Sequence, residues 1–437
     1  MHGTDIRVLA ADVSFRPVEL DPPLTISGGS IAWFTVACVS VEVESAAGAR
    51  ASGYGESILS VLWSWPHSEL TIEHRDAAMR ETAQRCADAV TRRDFADPIT
   101  LWRCAATQLD RLSAPGDDSG IRMPRLSALL ALGAIDNAVH DAWAAAAEMN
   151  VFSMYTREHL RDDLSAFGLP GTYPADGLAD RGGVLGALPV QHVVGISDEL
   201  TAGERGVGLA GWIEREGVSS FKIKVAGHDP FRDASRIRDV YRTARAVGVR
   251  PRLAVDPNEG YRDPQTALAM IDALAELDGD AERSVDYIEQ PVPRGLSVDP
   301  DRMRALSRRV PVLMDEGFTS LSALTSMREE GWSGVVIKAG KGQTPAVVAA
   351  AVARHLGLLV VVQDLTATGA AFVHSVQLAR RLHTAGVRVE YNSRQYAPGA
   401  NSVLRRRMPG LADVVDGRIR TEGLDGHGLY GMSFDGS

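Results

Sequence analysis

Five short apolar segments between Phe221 and Gly342 constrain the fold of this chain more than any other feature. Each segment ends in charged residues followed by turn-forming residues: FKIKV, LAVDPNEG, VDYIEQP, PVLMDEG and GVVIKAGKG. Because a buried parallel strand is a nearly continuous apolar run, each segment predicts such a strand with polar residues at its carboxyl end. The charged residues that end the segments are 32, 33, 26 and 23 residues apart, which leaves room for one helix between successive strands.

Three further strands are predicted outside these segments. VQHVVGI begins at Val190, LLVVVQD covers 358–364 and VRVEYN covers 387–392. Eight strand and helix units with right-handed connections close into a TIM-type barrel, and catalytic residues gather at the carboxyl ends of its strands. We therefore predict an α/β fold with a barrel at residues 187–397. Helical periodicity separates the strands at 203–215, 230–247, 264–277, 299–310, 320–330 and 343–356.

The rest of the chain predicts a second, smaller domain and two connecting segments. Period-two alternation at 7–15 and 33–44 predicts antiparallel strands, and helical periodicity follows at 71–92, 98–112 and 125–148. Strands followed by helices indicate an α+β domain at residues 1–150. Residues 53–70 predict a long loop that acts as a lid. We expect an irregular connection at 151–186 and, at 398–437, a segment with a hairpin that packs back on the first domain.

Composition and charge exclude several classes of protein. A chain of 437 residues is long enough for two domains, and its net charge of −10 leaves no basic face for nucleic acid or an anionic membrane. The apolar stretch 126–147 contains Asp136 and Asp141, which are costly inside a bilayer, so it predicts a buried helix. Because the amino terminus lacks the pattern of a signal peptide, we expect a cytoplasmic protein that binds neither membranes nor nucleic acid.

The first predicted site feature is a pair of lysines on one strand. Lys222 and Lys224 are two residues apart, so both side chains point to the same face. Two neighbouring ammonium groups lower each other's pKa, which would make one of them a neutral base near pH 7. The alternative is a lysine that only extends to the barrel rim.

Three carboxylates follow on the next three strands: Asp256, Glu289 and Asp315. Carboxylates that converge in this way repel one another unless a cation lies between them, and oxygen ligands favour a hard ion such as magnesium. The alternative is ion pairing with the site lysines, and both can hold. Since adjacent strand residues face opposite ways, only one of Asp315 and Glu316 is expected to point inward.

Lys338 ends the sixth strand, four strands away from Lys224 in a barrel of eight. Two bases that face each other across a metal ion suit the removal of a proton from the carbon next to a carboxylate, because the metal stabilises the enediolate that forms. The surrounding sequence KAGKGQT is not a phosphate-binding loop, since Val335 and Gly342 stand where that motif requires Gly and Ser or Thr.

These motifs, in this order, resemble those of the enolase superfamily, in the branch of mandelate racemase and muconate lactonising enzyme. The motifs are KxK, DxN, EQP, DEG and IK, and the resemblance extends to AIDNAVHDAW in the first domain and VVDGRIRTEGLDGHGL in the tail. It implies a (β/α)7β barrel without a final helix, an α+β capping domain and an essential Mg²⁺. No useful helix is predicted after Tyr396, in agreement with that fold.

The resemblance also implies roles for individual residues. Lys224 and Lys338 would be the acid/base pair, Lys222 would neutralise the substrate carboxylate, and the metal ligands would be Asp256, Glu289 and Asp315. A lysine on strand six is similar to the subgroup of lactonising enzymes, succinylbenzoate synthases and dipeptide epimerases. Strand seven ends in Gln363 and Asp364, where the mandelate racemase subgroup has a histidine.

Residues that would contact the substrate are less sharply indicated. Strand eight lacks the DxD motif with which dipeptide epimerases bind an ammonium group. Glu390 on this strand is either a substrate contact or the partner of Arg388 or Arg394, and Asp364 is either a substrate contact or part of an ion pair. Trp63, Trp65 and His67 lie in a loop that matches the position of the family's specificity lid, and Trp65 and His67 are expected to contact the substrate.

We therefore predict a Mg²⁺-dependent enzyme that removes the α-proton of a small carboxylate substrate, as a racemase, an epimerase or a cycloisomerase. A syn-dehydratase of a hydroxy acid, of the acid-sugar or hydroxyproline type, is the alternative reaction. The alternative of another class is a barrel protein without catalytic activity. Because the family is commonly oligomeric, the resemblance implies a homo-oligomer.

Overall fold

The computed structural model of the protein describes residues 2–91, 93–112, 122–178, 185–202, 207–382, 386 and 388–434. The start of the predicted helix 203–215 and the first residue of the predicted strand 387–392 lie outside the described residues. The chain begins with a three-stranded antiparallel sheet in the order β1-β2-β3. Its strands are β1 (Ile6–Ile26), β2 (Gly29–Ser45) and β3 (Arg50–Leu59).

The third strand corrects the first part of the predicted loop over 53–70, and the role of this segment as a lid stays a prediction. Residues up to Leu59 belong to β3, and a single helical turn, α1 (Val61–Ser64), follows. A Cβ atom at Gly53 would lie 2.3 Å from the backbone nitrogen of Ala142. The glycines of this segment therefore let a helix approach the strand closely, and they do not mark a turn.

The first strand is also longer than predicted. It runs through Pro22 and Pro23, and the pairing with β2 shifts register between Glu19 and Leu24. The prolines lie within this irregular part of the ladder, where a missing N–H costs no regular hydrogen bond.

Four helices complete this part of the chain, and two of them, α2 and α3, start with the expected side-chain caps. The side chain of Thr71 accepts a hydrogen bond from the backbone of His74, and Asp97 does the same for Thr100 ahead of a proline in the first turn. The last helix is buried over most of its length, and no described helix is long and apolar enough to cross a membrane. The helices are α2 (Ile72–Val90), α3 (Pro98–Ala106), α4 (Leu109–Leu112) and α5 (Arg125–Ala146).

Eight parallel strands form the predicted barrel. Consecutive strands pair in chain order, and the last strand pairs with the first and contacts the seventh. Side chains from five strands, among them Tyr287, pack together in the barrel interior. The strands are β4 (Ala187–Val194), β5 (Ser220–Lys224), β6 (Arg252–Asp256), β7 (Val285–Glu289), β8 (Val312–Met314), β9 (Gly334–Lys338), β10 (Leu359–Gln363) and β11 (Val389–Glu390).

Helices connect these strands, and only short helices follow the last one. One connecting helix, α13, was not predicted, because its residues from Ala370 to Ala379 are all buried and show no polar face. The helices are α6 (Leu209–Glu216), α7 (Pro230–Ala246), α8 (Pro264–Leu277), α9 (Gly279–Arg283), α10 (Pro300–Ser307), α11 (Ala323–Ser326), α12 (Gln343–Leu356), α13 (Gly369–Ala379), α14 (Ser393–Tyr396), α15 (Ser402–Arg407) and α16 (Pro409–Ala412).

The C-terminal segment contacts both parts of the molecule. Its strand β12 (Arg418–Arg420) pairs antiparallel with β4 of the barrel, so the expectation that the hairpin packs back on the first domain is wrong for this strand. Beyond it, the backbone of Leu429 donates a hydrogen bond of 2.7 Å to Asp141 of α5. The domain boundaries at 150, 186 and 397 stay a prediction.

Adding a single methyl group to β3 tests its close contact with α5. A Cβ atom at Gly55 would lie 2.1 Å from the carbonyl oxygen of Ala134 and 2.5 Å from the nitrogen of Ala138. We expect Gly55→Ala to lower the free energy of unfolding by about 1–3 kcal/mol, since backbone atoms cannot move aside as a side chain would. Urea denaturation measures the change.

Gly399→Ala is the matched control, because a Cβ atom there meets nothing within 4 Å. Its stability should stay within about 0.5 kcal/mol of the original protein. Equal stability of the two variants would contradict the close packing of α5 on β3.

Candidate active site

The strand ends bring to one place the five side chains predicted as catalytic or metal-binding and Lys222, which was predicted to bind the substrate. Each lies at the carboxyl end of its barrel strand or directly after it, and each is at most 7% exposed. They form two flanks around a central carboxylate. The six are Lys222, Lys224, Asp256, Glu289, Asp315 and Lys338.

The first flank is centred on Asp256. Its Oδ2 atom forms an ion pair with both lysines of β5, and the distance to Lys222 Nζ is 3.0 Å. Its Oδ1 atom accepts a hydrogen bond of 2.9 Å from the backbone nitrogen of Asn258. Lys224 also donates to the side-chain oxygen of Asn258 at 3.0 Å. Both lysines of the KxK motif thus face the same carboxylate, as their spacing predicts.

The second flank is centred on Asp315. Lys338 Nζ lies 3.0 Å from Asp315 Oδ2, and Lys341 Nζ lies 3.2 Å from Oδ1. Lys341 also donates to the backbone carbonyl groups of Asp315, at 2.6 Å, and Phe318, at 3.3 Å. Asp315 is therefore held by two ammonium groups, just as Asp256 is.

Glu289 lies between the two flanks and connects them. Its carboxylate is 2.9 Å from Lys222 Nζ and 3.7 Å from Lys338 Nζ. Gln363, at the end of β10, donates a hydrogen bond of 2.6 Å to Glu289 and accepts from both of these lysines, at 2.5 and 3.3 Å. The ion pairs that the sequence left as an alternative to a metal site are thus present.

The charges around the lysines correct the expected effect on pKa. Burial disfavours the ammonium of Lys222, but the charges of Asp256 and Glu289 outweigh burial and raise its pKa well above the usual value. The pKa of Lys338 is also raised, against burial, by Asp315. The prediction that neighbouring lysines lower one another's pKa is wrong for Lys222, because the nearby carboxylates act more strongly than the second ammonium.

The carboxylates respond to the same contacts. Burial tends to raise the pKa of Asp256, but Lys222 and Lys224 lower it to about 2. Lys338 and Lys341 likewise hold the pKa of Asp315 below its usual range. Both carboxylates are therefore charged at neutral pH.

Asp315 and Glu316 are both buried, which corrects the expectation that only one of them points inward. Strand β8 ends at Met314, so the alternation of a strand does not extend to them. The side-chain oxygen of Gln290 accepts from the backbone nitrogens of Asp315 and Gly317 and fixes the turn. Glu316 Oε1 accepts hydrogen bonds of 2.9 Å each from Asn258 and Trp63.

Asp364 and Glu390 are also buried at the barrel mouth. Glu390 lies 3.2 Å from Lys222 Nζ, whereas Arg388 pairs with Asp286 and Arg394 with Glu216. The alternative that Glu390 pairs with Arg388 or Arg394 is thus not the arrangement observed.

Asp364 accepts a hydrogen bond from the backbone of Thr366 at 2.8 Å and has no ion pair within the described part of the chain. Its pKa is raised well above the usual value by burial and by the charge of Glu390. A substrate role for either residue stays a prediction.

Of the three residues named for the predicted lid, Trp63 reaches the site lysines, whereas Trp65 and His67 were the two expected to contact the substrate. Trp63 lies with its ring 5.3 Å from Lys338 Nζ and 5.6 Å from Lys341 Nζ. Trp65 is buried and His67 is exposed, and no described contact joins either to the lysines or carboxylates. Both instead line a cavity of about 350 Å³ that extends between the lid and Glu316. Their contact with a substrate stays a prediction.

A signal in the sequence could have identified Lys341. Only four of the 46 lysine and arginine residues are lysines, and all four are buried in this cluster. This scarcity of lysine would by itself have assigned Lys341, three positions after Lys338, to the site. Gln363 carries no comparable signal, because its contacts depend on how the strands are arranged.

The donor set fits a divalent cation. Among the described residues, no group of three His, Cys, Asp or Glu side chains is arranged to hold a metal ion as they stand, since lysines lie between the carboxylates. The cluster nevertheless contains six carboxyl groups beside four lysines, and Glu316 Oε2 is buried without a hydrogen-bond partner among the described residues. Carboxyl oxygen ligands favour a hard cation such as Mg²⁺.

Replacing Lys222 tests how far the cluster depends on its ion pairs. The substitution Lys222→Met leaves three carboxylates without one of their partners. We expect a loss of about 3–5 kcal/mol in the free energy of unfolding, measured by urea denaturation with EDTA present. Arg242→Met, which removes an exposed ion pair with Asp278, is the control and should cost less than about 1 kcal/mol. Similar losses of unfolding free energy in Lys222→Met and Arg242→Met would contradict the conclusion that the buried ion pairs matter more than an exposed one.

Known proteins match this chain in sequence and in fold. The family model described as "Enolase C-terminal domain-like" matches residues 208–431, which is more than half of the chain. An L-Ala-D/L-Glu epimerase of Bacteroides thetaiotaomicron is 28% identical over 194 residues, and the match spans 44% of this chain and 45% of that protein.

Two solved structures illustrate the likeness in fold. The dipeptide epimerase of Enterococcus faecalis V583, complexed with Mg and L-Leu-L-Tyr, has a TM-score of 0.66 at 18% identity and covers 97% of this chain and 99% of its own. The muconate lactonizing enzyme of Pseudomonas fluorescens, complexed with muconolactone, has a TM-score of 0.63 at 17% identity over 98% and 97% of the two chains. The family match and the barrel confirm the resemblance of the sequence motifs. The chain belongs to the enolase C-terminal domain-like family, in the branch of mandelate racemase and muconate lactonising enzyme.

Proposed function

We propose that the protein is an enzyme that removes the proton from the carbon next to a substrate carboxylate, and that Lys224 and Lys338 exchange this proton. One observation carries the proposal: three carboxylates on successive strands are flanked by lysines on both sides. Racemisation, epimerisation or cycloisomerisation of a small carboxylate is the reaction that this arrangement supports best.

The positions of the two lysines suit proton transfer on opposite faces of one carbon. Lys224 ends β5 beside Asp256, and Lys338 ends β9 beside Asp315. With the reacting carbon between them, the neutral amine of one lysine accepts the proton as the C–H bond breaks. The ammonium of the other lysine then delivers a proton to the opposite face, which inverts the carbon.

The other charged groups bind the substrate and the cation in this proposal. Asp256, Glu289 and Asp315 would hold Mg²⁺, which supplies positive charge to the substrate carboxylate as the neighbouring carbon loses its proton. Lys222 lies against two of these carboxylates and adds a fixed positive charge on the same side. These fixed charges need no rearrangement when negative charge develops on the substrate.

The relatives support this class of reaction. The Bacteroides relative is an L-Ala-D/L-Glu epimerase, and the Enterococcus neighbour is a dipeptide epimerase complexed with Mg. The Pseudomonas neighbour acts in muconate lactonisation by its name. We propose the shared first step, loss of an α-proton, for this chain. The Bacteroides epimerase is matched over less than half of its length, so we do not propose its substrate for this chain.

Exchange of the substrate α-hydrogen with deuterated solvent tests the proposal. A library of acid sugars, N-acyl amino acids, dipeptides and proline derivatives, incubated with enzyme and Mg²⁺ in D₂O, identifies substrates by mass. We expect Lys224→Ala and Lys338→Ala each to reduce exchange by a factor of about 10² or more, the scale of general acid–base catalysis. Arg262→Ala, which removes an 85% exposed side chain, should leave exchange unchanged. Undiminished exchange in both lysine variants would refute the assignment.

Binding of Mg²⁺ has its own test, independent of turnover. A cation that binds only the folded protein stabilises it by about 2.7 kcal/mol at a concentration 100 times its Kd. We expect the thermal midpoint to rise with Mg²⁺ and the rise to vanish in Asp256→Asn and Glu289→Gln. Asp280→Asn changes an exposed carboxylate outside the cluster and should keep the full response. A flat response of the original protein at millimolar Mg²⁺ would refute the metal site.

A further inference from the structure

The end of β9 and the turn after it carry two of the four site lysines. Lys338 is the last residue of β9, the short 3-10 turn Ala339–Lys341 ends at the second lysine, and helix α12 begins two residues later. Both ammonium groups contact Asp315, so the shape of this turn determines where they lie. The residue before the helix is Gly342, which has no side chain to cap it.

The N-terminal part of the chain contacts this turn from behind. A Cβ atom at Gly133 of α5 would lie 2.2 Å from the carbonyl oxygen of Gly340, so the helix backbone touches the turn directly. Ser57 of β3 donates a hydrogen bond of 2.8 Å to the same carbonyl oxygen. Ser57 is fully buried, and its contact spans 283 positions of the sequence.

A second residue of α5 supplies the missing cap. Asp136 Oδ2 accepts a hydrogen bond of 2.7 Å from the backbone nitrogen of Thr344, and Oδ1 accepts one of 2.8 Å from the Thr344 hydroxyl. The carboxylate therefore accepts a hydrogen bond from an N–H group of the first turn of α12, as the side chain of the residue directly before a helix usually does. Asp136 is 3% exposed, so water does not replace this contact.

We propose that Ser57 and Asp136 are positioning residues, which hold the turn after β9 so that Lys338 and Lys341 meet Asp315. This inference rests on the proposed role of Lys338 in proton transfer. It gives the N-terminal part a second task besides covering the substrate, because two of its elements set the geometry of the reacting lysine. Displacement of a reacting group by about 1 Å can reduce a rate by a factor of about 10².

The four lysines allow a direct test by NMR. Protein labelled with ¹³C only in lysine should give one signal for each of the four lysines at any given side-chain carbon, and single Lys→Arg variants assign these signals. We expect Ser57→Ala and Asp136→Ala to shift and broaden the signals of Lys338 and Lys341 and to leave those of Lys222 and Lys224 in place. Asp136→Asn can still accept from the Thr344 nitrogen and should restore the original positions.

Ser375→Ala is the matched control. Ser375 is also buried and donates one hydrogen bond to a backbone carbonyl, within α13, and it does not touch the turn. All four signals should stay unchanged in this variant. Equal shifts of all four lysines in Ser57→Ala, or no shift in Ser57→Ala and Asp136→Ala, would overturn the proposal.

Kinetics with a substrate identified by deuterium exchange complete the test. We expect kcat for exchange to fall on the order of tenfold in Ser57→Ala and Asp136→Ala with KM unchanged, since the contacts act on the base and not on substrate binding. A raised KM with unchanged kcat would contradict positioning. The NMR result stands even if no exchange substrate is found, so failure of the proposed reaction and failure of this inference are distinguishable.

Discussion

The barrel mouth depends on mutual neutralisation of buried charges. An isolated charge in this environment would cost several kcal/mol, so each lysine and carboxylate is retained only because of its neighbours. The arrangement has a clear order: Asp256 and Asp315 each have two ammonium groups, and Glu289 shares one from each side. Gln363, which contacts both flanks, fixes their separation.

The same cluster determines how the rest of the molecule must be built. Its members end different strands, so a barrel is needed to bring them together, and the mouth must be covered for them to stay buried. Trp63 covers Lys338 and Lys341, and Arg294 ties the backbone carbonyl groups of Trp63 and Ser64 to the barrel loops. Close backbone contacts at Gly55 and Gly133 place α5 between the first sheet and the turn after β9. Burial of the charges and the two-part architecture thus require each other.

Much of this organisation was predictable, because barrel strands are apolar runs with charged ends. All eight strands, their order and the meeting of the six charged residues follow from that pattern. The predictions failed for features that depend on contacts between distant parts of the chain. Residues 53–59 form a strand because glycines admit α5, and α13 has no polar face because it is enclosed on all sides. The pKa of Lys222 depends on carboxylates from three other strands, which spacing along one strand cannot reveal.

The confinement of lysine to the barrel mouth has a chemical consequence for the whole chain. Arginine supplies the other 42 of the 46 lysine and arginine side chains, and a guanidinium does not lose its proton in a protein and is a poor nucleophile. Reagents that attack amines, such as acylating compounds and aldehydes, therefore find no lysine target on the outer surface. Any lysine that they modify is one of the four in the cluster, so acylation or glycation of a lysine would damage the site and could not occur as a neutral change at the surface.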